Sequence, residues 1–197
     1  MRERVRLVHP RAGPYLLRMD RSALRSLRAG WRRLRFRPWT SAIELGDVDV
    51  QGRVWVPGPG RVRIGNRVRL IARRAPIELR AHEGAEIVIG DDVVIEDGAS
   101  IEATSSVRIG DGARIGAFCK IMDNHFHRLE LGQDRFDRPT PVPIVVGAGA
   151  IVGAHAVVLP GADVGTGATV GPGAVLSFRL APGAVFQGTA GAGVSPA

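Results

Sequence analysis

The sequence predicts an all-β protein, a parallel β-helix with a short N-terminal α-helical appendage and one loop thrown outward. Three observations predict it. The first is a six-residue beat in the last third of the chain, where aliphatic residues fall at Val146, Val152, Val158, Val164, Val170 and Leu176. The second is an alanine four places after each of the first five: Ala150, Ala156, Ala162, Ala168 and Ala174. Neither a helix, with period 3.6, nor a plain strand, with period 2, produces that pattern. A coil of very short strands does: three six-residue faces make one triangular turn, with the aliphatic side chain inside and the small residue at the bend. The third is composition. Glycine is abundant at 26 residues, as a coil with three corners per turn demands, and aromatics are scarce at 5%, as suits a narrow interior stacked with Ile, Val and Leu.

Taken in order along the chain, residues 14–38 predict an amphipathic helix. Leu17, Leu24, Leu27, Trp31 and Leu34 keep a 3/4/7 spacing, and Arg18, Arg21, Arg25, Arg28, Arg32 and Arg35 run beside them until Pro38 ends the segment. Such a helix can pack on the first coil with its arginines solvated, or lie in a membrane interface against anionic lipid. The net charge of +8 is placed here: residues 1–40 hold twelve arginines against Glu3 and Asp20, and the rest of the chain holds fifteen basic against seventeen acidic residues. Nothing matches a groove-reading or base-stacking motif, so nucleic acid is not an expected partner.

The coil starts irregularly over 43–70, with Gly46, Gly52, Gly58 and Gly60 as corners. The beat appears at Ile64-Gly65, recurs at Ile89-Gly90, Ile95, Ile101 and Val107, and moves by two residues at Ile109-Gly110 before continuing to Ile115 and Ile121. That shift predicts a bulge at one corner. Cys119 falls in a small-residue place, which predicts a buried structural thiol; as the only cysteine it excludes an intramolecular disulfide and fits a reducing compartment. The beat stops over 122–143 and resumes at Val146, which predicts a loop extruded from one corner, where function concentrates. The expected organisation is a basic segment 1–42, a β-helix 43–181 containing the loop 122–143, and a flexible Gly/Ala/Pro-rich tail 182–197. No apolar run approaches the roughly 20 residues of a membrane span, and no apolar stretch follows the charged N-terminus, so the expected location is cytoplasmic, with peripheral contact at the inner membrane face through residues 14–38.

The loop opens with Ile121-Met122-Asp123-Asn124-His125-Phe126-His127-Arg128-Leu129, and the coil restarts with Pro143-Ile144-Val145-Val146-Gly147. With the repeats on both sides, this stretch resembles the hexapeptide-repeat O-acetyltransferases of the maltose and galactoside type and their relatives in capsule, O-antigen and exopolysaccharide biosynthesis. The resemblance covers roughly residues 60–180. It implies a left-handed β-helix, an exception to the usual crossover hand, and a homotrimer with each active site between two coils. It implies acetyl-CoA as donor, with no metal, and a sugar hydroxyl of a surface polysaccharide or glycolipid intermediate as acceptor. It places His127, rather than His125, as general base, with Asp123 or Asn124 orienting the ring. It implies an oxyanion donor around Gly153 and Ala154, and a CoA groove along the last coils formed by Gly153, Ala154, Pro172, Ser177 and Arg179, the arginine meeting a phosphate.

Departures from the family pattern accompany the match. The family's tryptophan after the restart is Ile151 here, its lysine near the pantetheine phosphate is Phe178, and its Gly-x-Pro is Gly188-Thr189-Ala190. Asp97, Glu102 and Thr104 are only neighbours of the family's acceptor-contacting places. A γ-type carbonic anhydrase would need three histidines converging on zinc, and the spacing of His125, His127 and His155 does not supply them. A serine acetyltransferase would carry a large helical domain ahead of the coil. The rival from another class is a non-catalytic scaffold that docks at membranes or partners.

Overall fold

The computed structural model describes residues 42–126 and 139–188 in full, together with the backbone of strands Glu3–His9, Ala12–Met19 and Leu34–Arg35. It is a parallel β-solenoid. One face stacks Ala42–Leu45, Arg61–Ile64, Glu86–Ile89, Ser106–Ile109, Ile144–Val146, Asp163–Val164 and Arg179–Leu180. A second face stacks the first halves of Val48–Trp55 and Val68–Ala81 under Val94–Ile95, Arg114–Ile115, Ile151–Val152, Thr169–Val170 and Val185–Phe186. A third stacks the second halves of the same two long strands under Ser100–Ala103, Lys120–Met122, Val157–Val158 and Val175–Leu176.

The interior is the set of residues the beat selects. Ile64, Ile89, Ile109, Val146, Val164 and Leu180 stack in one column, Ile95, Ile115, Val152 and Val170 in a second, and Leu79, Ile101, Ile121, Val158 and Leu176 in the third; all are buried. Full burial of each such side chain is worth about 1.5–3 kcal/mol. The alanines of the beat are buried too, and each closes its bend by donating back across it: the Ala150 N–H reaches the Gly147 carbonyl at 3.2 Å, and the Ala156 N–H reaches the Gly153 carbonyl at 3.2 Å.

The register separates the three corners. Between the first and second faces the step is six residues in every coil from Ile64 onward: 64 to 70, 89 to 95, 109 to 115, 146 to 152, 164 to 170, 180 to 186. Between the third face and the next coil it varies: ten residues from Leu79 to Ile89, eight from Ile101 to Ile109, twenty-five from Ile121 to Val146, six from Val158 to Val164 and four from Leu176 to Leu180. The two-residue shift of the beat is therefore a wider third corner at Thr104–Ser105, and the loop leaves from that same corner one coil later.

Two expectations change. The helix expected over 14–38 is overtaken at its start by strand Ala12–Met19, which pairs antiparallel with Glu3–His9 and parallel with Ala42–Leu45. At its end, Leu34–Arg35 pairs with Val54–Trp55; residues 20–33 and 36–41 lie outside the described residues. The physical reason is the open end of the solenoid: its first strand presents unpaired N–H and C=O groups that a neighbouring strand satisfies, whatever helical spacing that segment also carries. Likewise the coil does not end at 181. Pro182–Gly183 forms another first corner, with Gly183 at φ 69° and its N–H on the Thr166 carbonyl at 2.9 Å, and Val185–Phe186 adds a strand. What reads as tail composition is corner composition. Residues 189–197 lie outside the described residues.

Candidate functional site

The corners are held by side chains of the coil above accepting from backbone N–H groups of the coil below. At the first corner Asn66, Asp91 and Asp111 do this in sequence: the Asp47 N–H donates to Asn66 Oδ1 at 3.2 Å, the Asn66 N–H to Asp91 Oδ1 at 2.8 Å, and the Asp91 N–H to Asp111 Oδ1 at 2.8 Å. At the second corner Asp97 Oδ1 accepts from the Arg74 N–H at 2.7 Å and the Ala75 N–H at 3.3 Å, and this holds its carboxyl below the ordinary aspartate range.

The third-corner version is Asp123, at the neck of the loop. Its carboxylate is fully buried and accepts four bonds, from the Thr104 N–H at 2.7 Å, the Thr104 hydroxyl at 2.8 Å, the Ser105 N–H at 2.7 Å and the Ser106 N–H at 2.8 Å. Both oxygens are thus committed to the wide corner of the coil below. Asn124, also buried, ties the two ends of the loop together: its Nδ2 donates to the Pro139 carbonyl at 2.8 Å, and its Oδ1 accepts from the Phe126 N–H. The Val142 N–H closes the neck on the Asp123 carbonyl at 2.9 Å. The geometry assigns Asp123 and Asn124 to anchoring the loop. The resemblance implied that they orient the ring of His127, and that residue lies outside the described residues. His125, at the edge of the anchored neck, is exposed.

Sequence reasoning missed one pair. His82 Nε2 lies 2.7 Å from Glu102 Oε1, with Arg80 Nε 3.5 Å from the same oxygen, and the His82 ring meets Phe126 at 5.9 Å between centroids. No partner for His82 Nδ1 occurs among the described residues. If Nε2–H donates to the carboxylate, Nδ1 is left as an acceptor. The signal was available: His82 directly follows the third-face strand, and Arg80 and Glu102 are register partners on adjacent coils.

The five predicted CoA-contacting residues fall on two different edges. Gly153, Ala154 and Pro172 stack at the second corner, so tightly that a Cβ on Gly153 would lie 2.5 Å from the Pro172 nitrogen. Along this corner the N–H groups of Ala117 and Ala154 have no partner among the described residues, while the residues following them donate down the column: the Phe118 N–H to the Asp97 carbonyl and the His155 N–H to the Ala117 carbonyl, both at 2.8 Å. Such a rail of open N–H donors fits the amide carbonyls of a pantetheine arm or a developing oxyanion. Ser177 and Arg179 lie across the third face, at the third corner, both exposed; the Arg179 Nε is 3.3 Å from Asp163 Oδ2. Cys119 is buried inside the coil, where desolvation pushes its thiol up to about 12, so it is a packing residue. No group of three or more metal-ligating side chains forms among the described residues.

No protein-family model and no curated protein matches the chain. Solved structures do. A putative acetyltransferase from Bacillus cereus superposes with a TM-score of 0.57 at 15% identity, covering 80% of each chain. A hexapeptide-repeat-containing acetyltransferase from Vibrio cholerae gives 0.55 at 20% identity, covering 64% of this chain and 69% of its own. A variant of AntD, an N-acyltransferase from Bacillus cereus in complex with dTDP-4-amino-4,6-dideoxyglucose and coenzyme A, gives 0.56 at 16% identity, covering 73% of this chain and 74% of its own. By its coil, its register and these superpositions, the chain has the fold of the hexapeptide-repeat acyltransferases.

Proposed function

We propose that the protein is an acyl-CoA-dependent O-acetyltransferase whose acceptor is a sugar hydroxyl of a surface polysaccharide or glycolipid intermediate. The observation that carries this reading is the anchored loop: Asp123 and Asn124 fix the neck of an excursion that bears His125 and His127 on an otherwise uninterrupted coil. A scaffold has no need of that device. A neighbour of the same fold, AntD, has been solved with coenzyme A and a nucleotide-linked amino sugar, which supports a CoA donor and a sugar acceptor. In the reaction the acceptor oxygen attacks the thioester carbonyl carbon as its proton passes to the imidazole of His127. The C–O bond forms, the C–S bond breaks, and the proton leaves with the thiolate as free CoA thiol. Positioned proton transfer of this kind contributes about 10²–10⁴-fold. Ala154 supplies its open backbone N–H to the oxyanion, while the Gly153 N–H is held by the Val170 carbonyl at 2.8 Å.

The division of the predicted donor residues between two corners favours a homotrimer, because only a second copy can bring another chain's third corner against the Ala154–Pro172 edge. The arginine-rich segment 14–38 then offers a cationic surface for anionic lipid at the inner membrane face. Loss of co-sedimentation with phosphatidylglycerol vesicles on replacing Arg21, Arg25, Arg28 and Arg32 by Ala tests this, and undiminished binding rejects it.

His82 supports a second reading of the base, since its ring is already oriented by Glu102 on the rigid coil. Calorimetric titration with acetyl-CoA is the first test, with one saturable site per chain expected; no binding by a folded trimer favours the non-catalytic scaffold. Thiol release with a panel of glycoside acceptors then separates the two imidazoles. His127→Ala should lower turnover by at least about 100-fold with acetyl-CoA affinity retained. Full activity in that variant, with loss in His82→Ala, would transfer the role to His82.

A further inference from the structure

The second corner holds two residues that its own backbone disfavours. One residue per bend there lies in the left-handed region, and the outer coils use glycine: Gly98 at φ 69° and Gly173 at φ 68°. Between them stand Phe118 at φ 58° and His155 at φ 59°. A side chain with a Cβ is penalised in that region, a bulky aromatic most clearly. The two rings stack, with centroids 5.3 Å apart and planes 12° from parallel, but one ring pair offsets less than two such penalties. Phe118 also keeps 46% of its surface exposed. Local stability does not explain the pair.

The seat of the Phe118 ring is specific. A Cβ on Gly98 would lie 2.5 Å from Phe118 Cδ1 and 2.6 Å from Cε1. The ring therefore lies down over the bare backbone of the coil below and fills the trough that Gly98 leaves, while His155 covers its other face. Ala117 and Ala154, whose N–H groups have no partner among the described residues, are the residues directly before Phe118 and His155 on the same edge.

We propose that Phe118, braced by His155, closes the lower end of the acyl-donor groove and restricts the donor to a short acyl chain. This rests on the reading in which the donor runs along Ala154 and Pro172. With pantetheine above and the thioester at Ala154, the acyl group has one direction left, toward the coil below at about one strand spacing, ~4.8 Å. A two-carbon acyl group ends against the outer edge of the Phe118 ring, the part that Gly98 and His155 leave uncovered. A longer chain needs the Gly98 trough that the ring occupies.

The test compares acetyl-, butyryl- and hexanoyl-CoA by calorimetric dissociation constant and by thiol release, in the wild type, Phe118→Asn and His155→Ala. Asparagine is chosen because it tolerates the left-handed conformation, so the variant retains its fold. The wild type should prefer acetyl- over hexanoyl-CoA by at least about tenfold, and Phe118→Asn should erase that preference, the hexanoyl-to-acetyl ratio rising by about tenfold or more, the scale on which a few methylenes in an apolar pocket are discriminated. His155→Ala should shift the ratio in the same direction by less. Binding of acetyl-CoA with an unchanged chain-length profile in folded Phe118→Asn would overturn the assignment of Phe118 and leave the donor site standing. Failure of all three thioesters to bind the wild type would overturn both.

Discussion

The first and third corners are built from the same coil and behave oppositely. The first turns in six residues in every coil from Ile64 to Phe186, and a Cβ on Gly147 there would lie 2.5 Å from the Thr166 nitrogen of the next coil. The third turns in four to twenty-five residues and throws out the loop. The difference lies in how closely each bend packs and how many groups its side chain satisfies. At the first corner Asn66, Asp91 and Asp111 each accept one backbone N–H, and close backbone contact leaves no room for length variation. Side-chain acceptance at the third, by Asp123 of three backbone N–H groups and a hydroxyl, replaces the backbone partners that a wide bend cannot reach. A solenoid can carry a functional loop at a corner whose backbone groups a buried carboxylate can satisfy.

The largest expected effect tests that contrast directly. Two glycines inserted after Asp111 should cost more than about 3 kcal/mol, because every coil above must re-register. Replacing residues 127–138 by the same two glycines should leave the urea midpoint within the range of an ordinary surface change, about 0.5 kcal/mol, while abolishing acyl transfer. Equal losses in the two variants would remove the distinction between the corners. Next comes Asp123→Ala, which strands three part-buried N–H groups and the Thr104 hydroxyl. Hydrogen bonds to a charged group are worth about 1.5–3 kcal/mol each, with losses that do not add, so a total of about 3–4 kcal/mol is expected in denaturant melts. Faster hydrogen exchange at Thr104, Ser105 and Ser106 should accompany it, and unchanged exchange there would refute the anchoring role.

The smallest effect is at the second corner. The Arg74 N–H bond lowers the Asp97 carboxyl below its unfolded value, so its contribution is present above the unfolded pKa and is lost as pH falls through the folded one. Asp97→Asn should therefore lower Tm slightly at neutral pH and converge with the wild type in acid. A gap that widens in acid would contradict the sign. Because Asp97 is largely solvated, the difference should be no more than a degree or two.

Most of the fold was legible because it repeats. Val146, Val152 and Val158 predict buried columns, Ala150 and Ala156 the bends beneath them, and the silence of the beat after Ile121 the loop; each signal lies within one coil's length. Less of the candidate site was legible. His127 stood out by its neighbours Asp123 and Phe126, yet Asp123 turned out to serve the coil below, through contacts 17 to 19 residues back in the chain. His82 and Glu102 looked unrelated because neither belongs to a motif; they meet because 20 residues of chain return one coil above. The helical spacing that begins at Leu17 could not register that the edge of the first coil takes strand Ala12–Met19; Leu24 and Leu27 lie outside the described residues.

The sequence by itself determined the coil, its interior and the point at which the loop leaves. These depend on which residue types recur at which interval, and that information is local. Only the tertiary structure decided which side chains become neighbours across coils: Asp123 with Ser106, His82 with Glu102, Phe118 with His155. The physical reason is that vertical neighbours are separated by one whole coil, and the length of that coil is set by its third corner. From Ile89 upward along the first face it takes the values 20, 37, 18 and 16 residues. Until those lengths are known, no single spacing in the chain names the residue overhead.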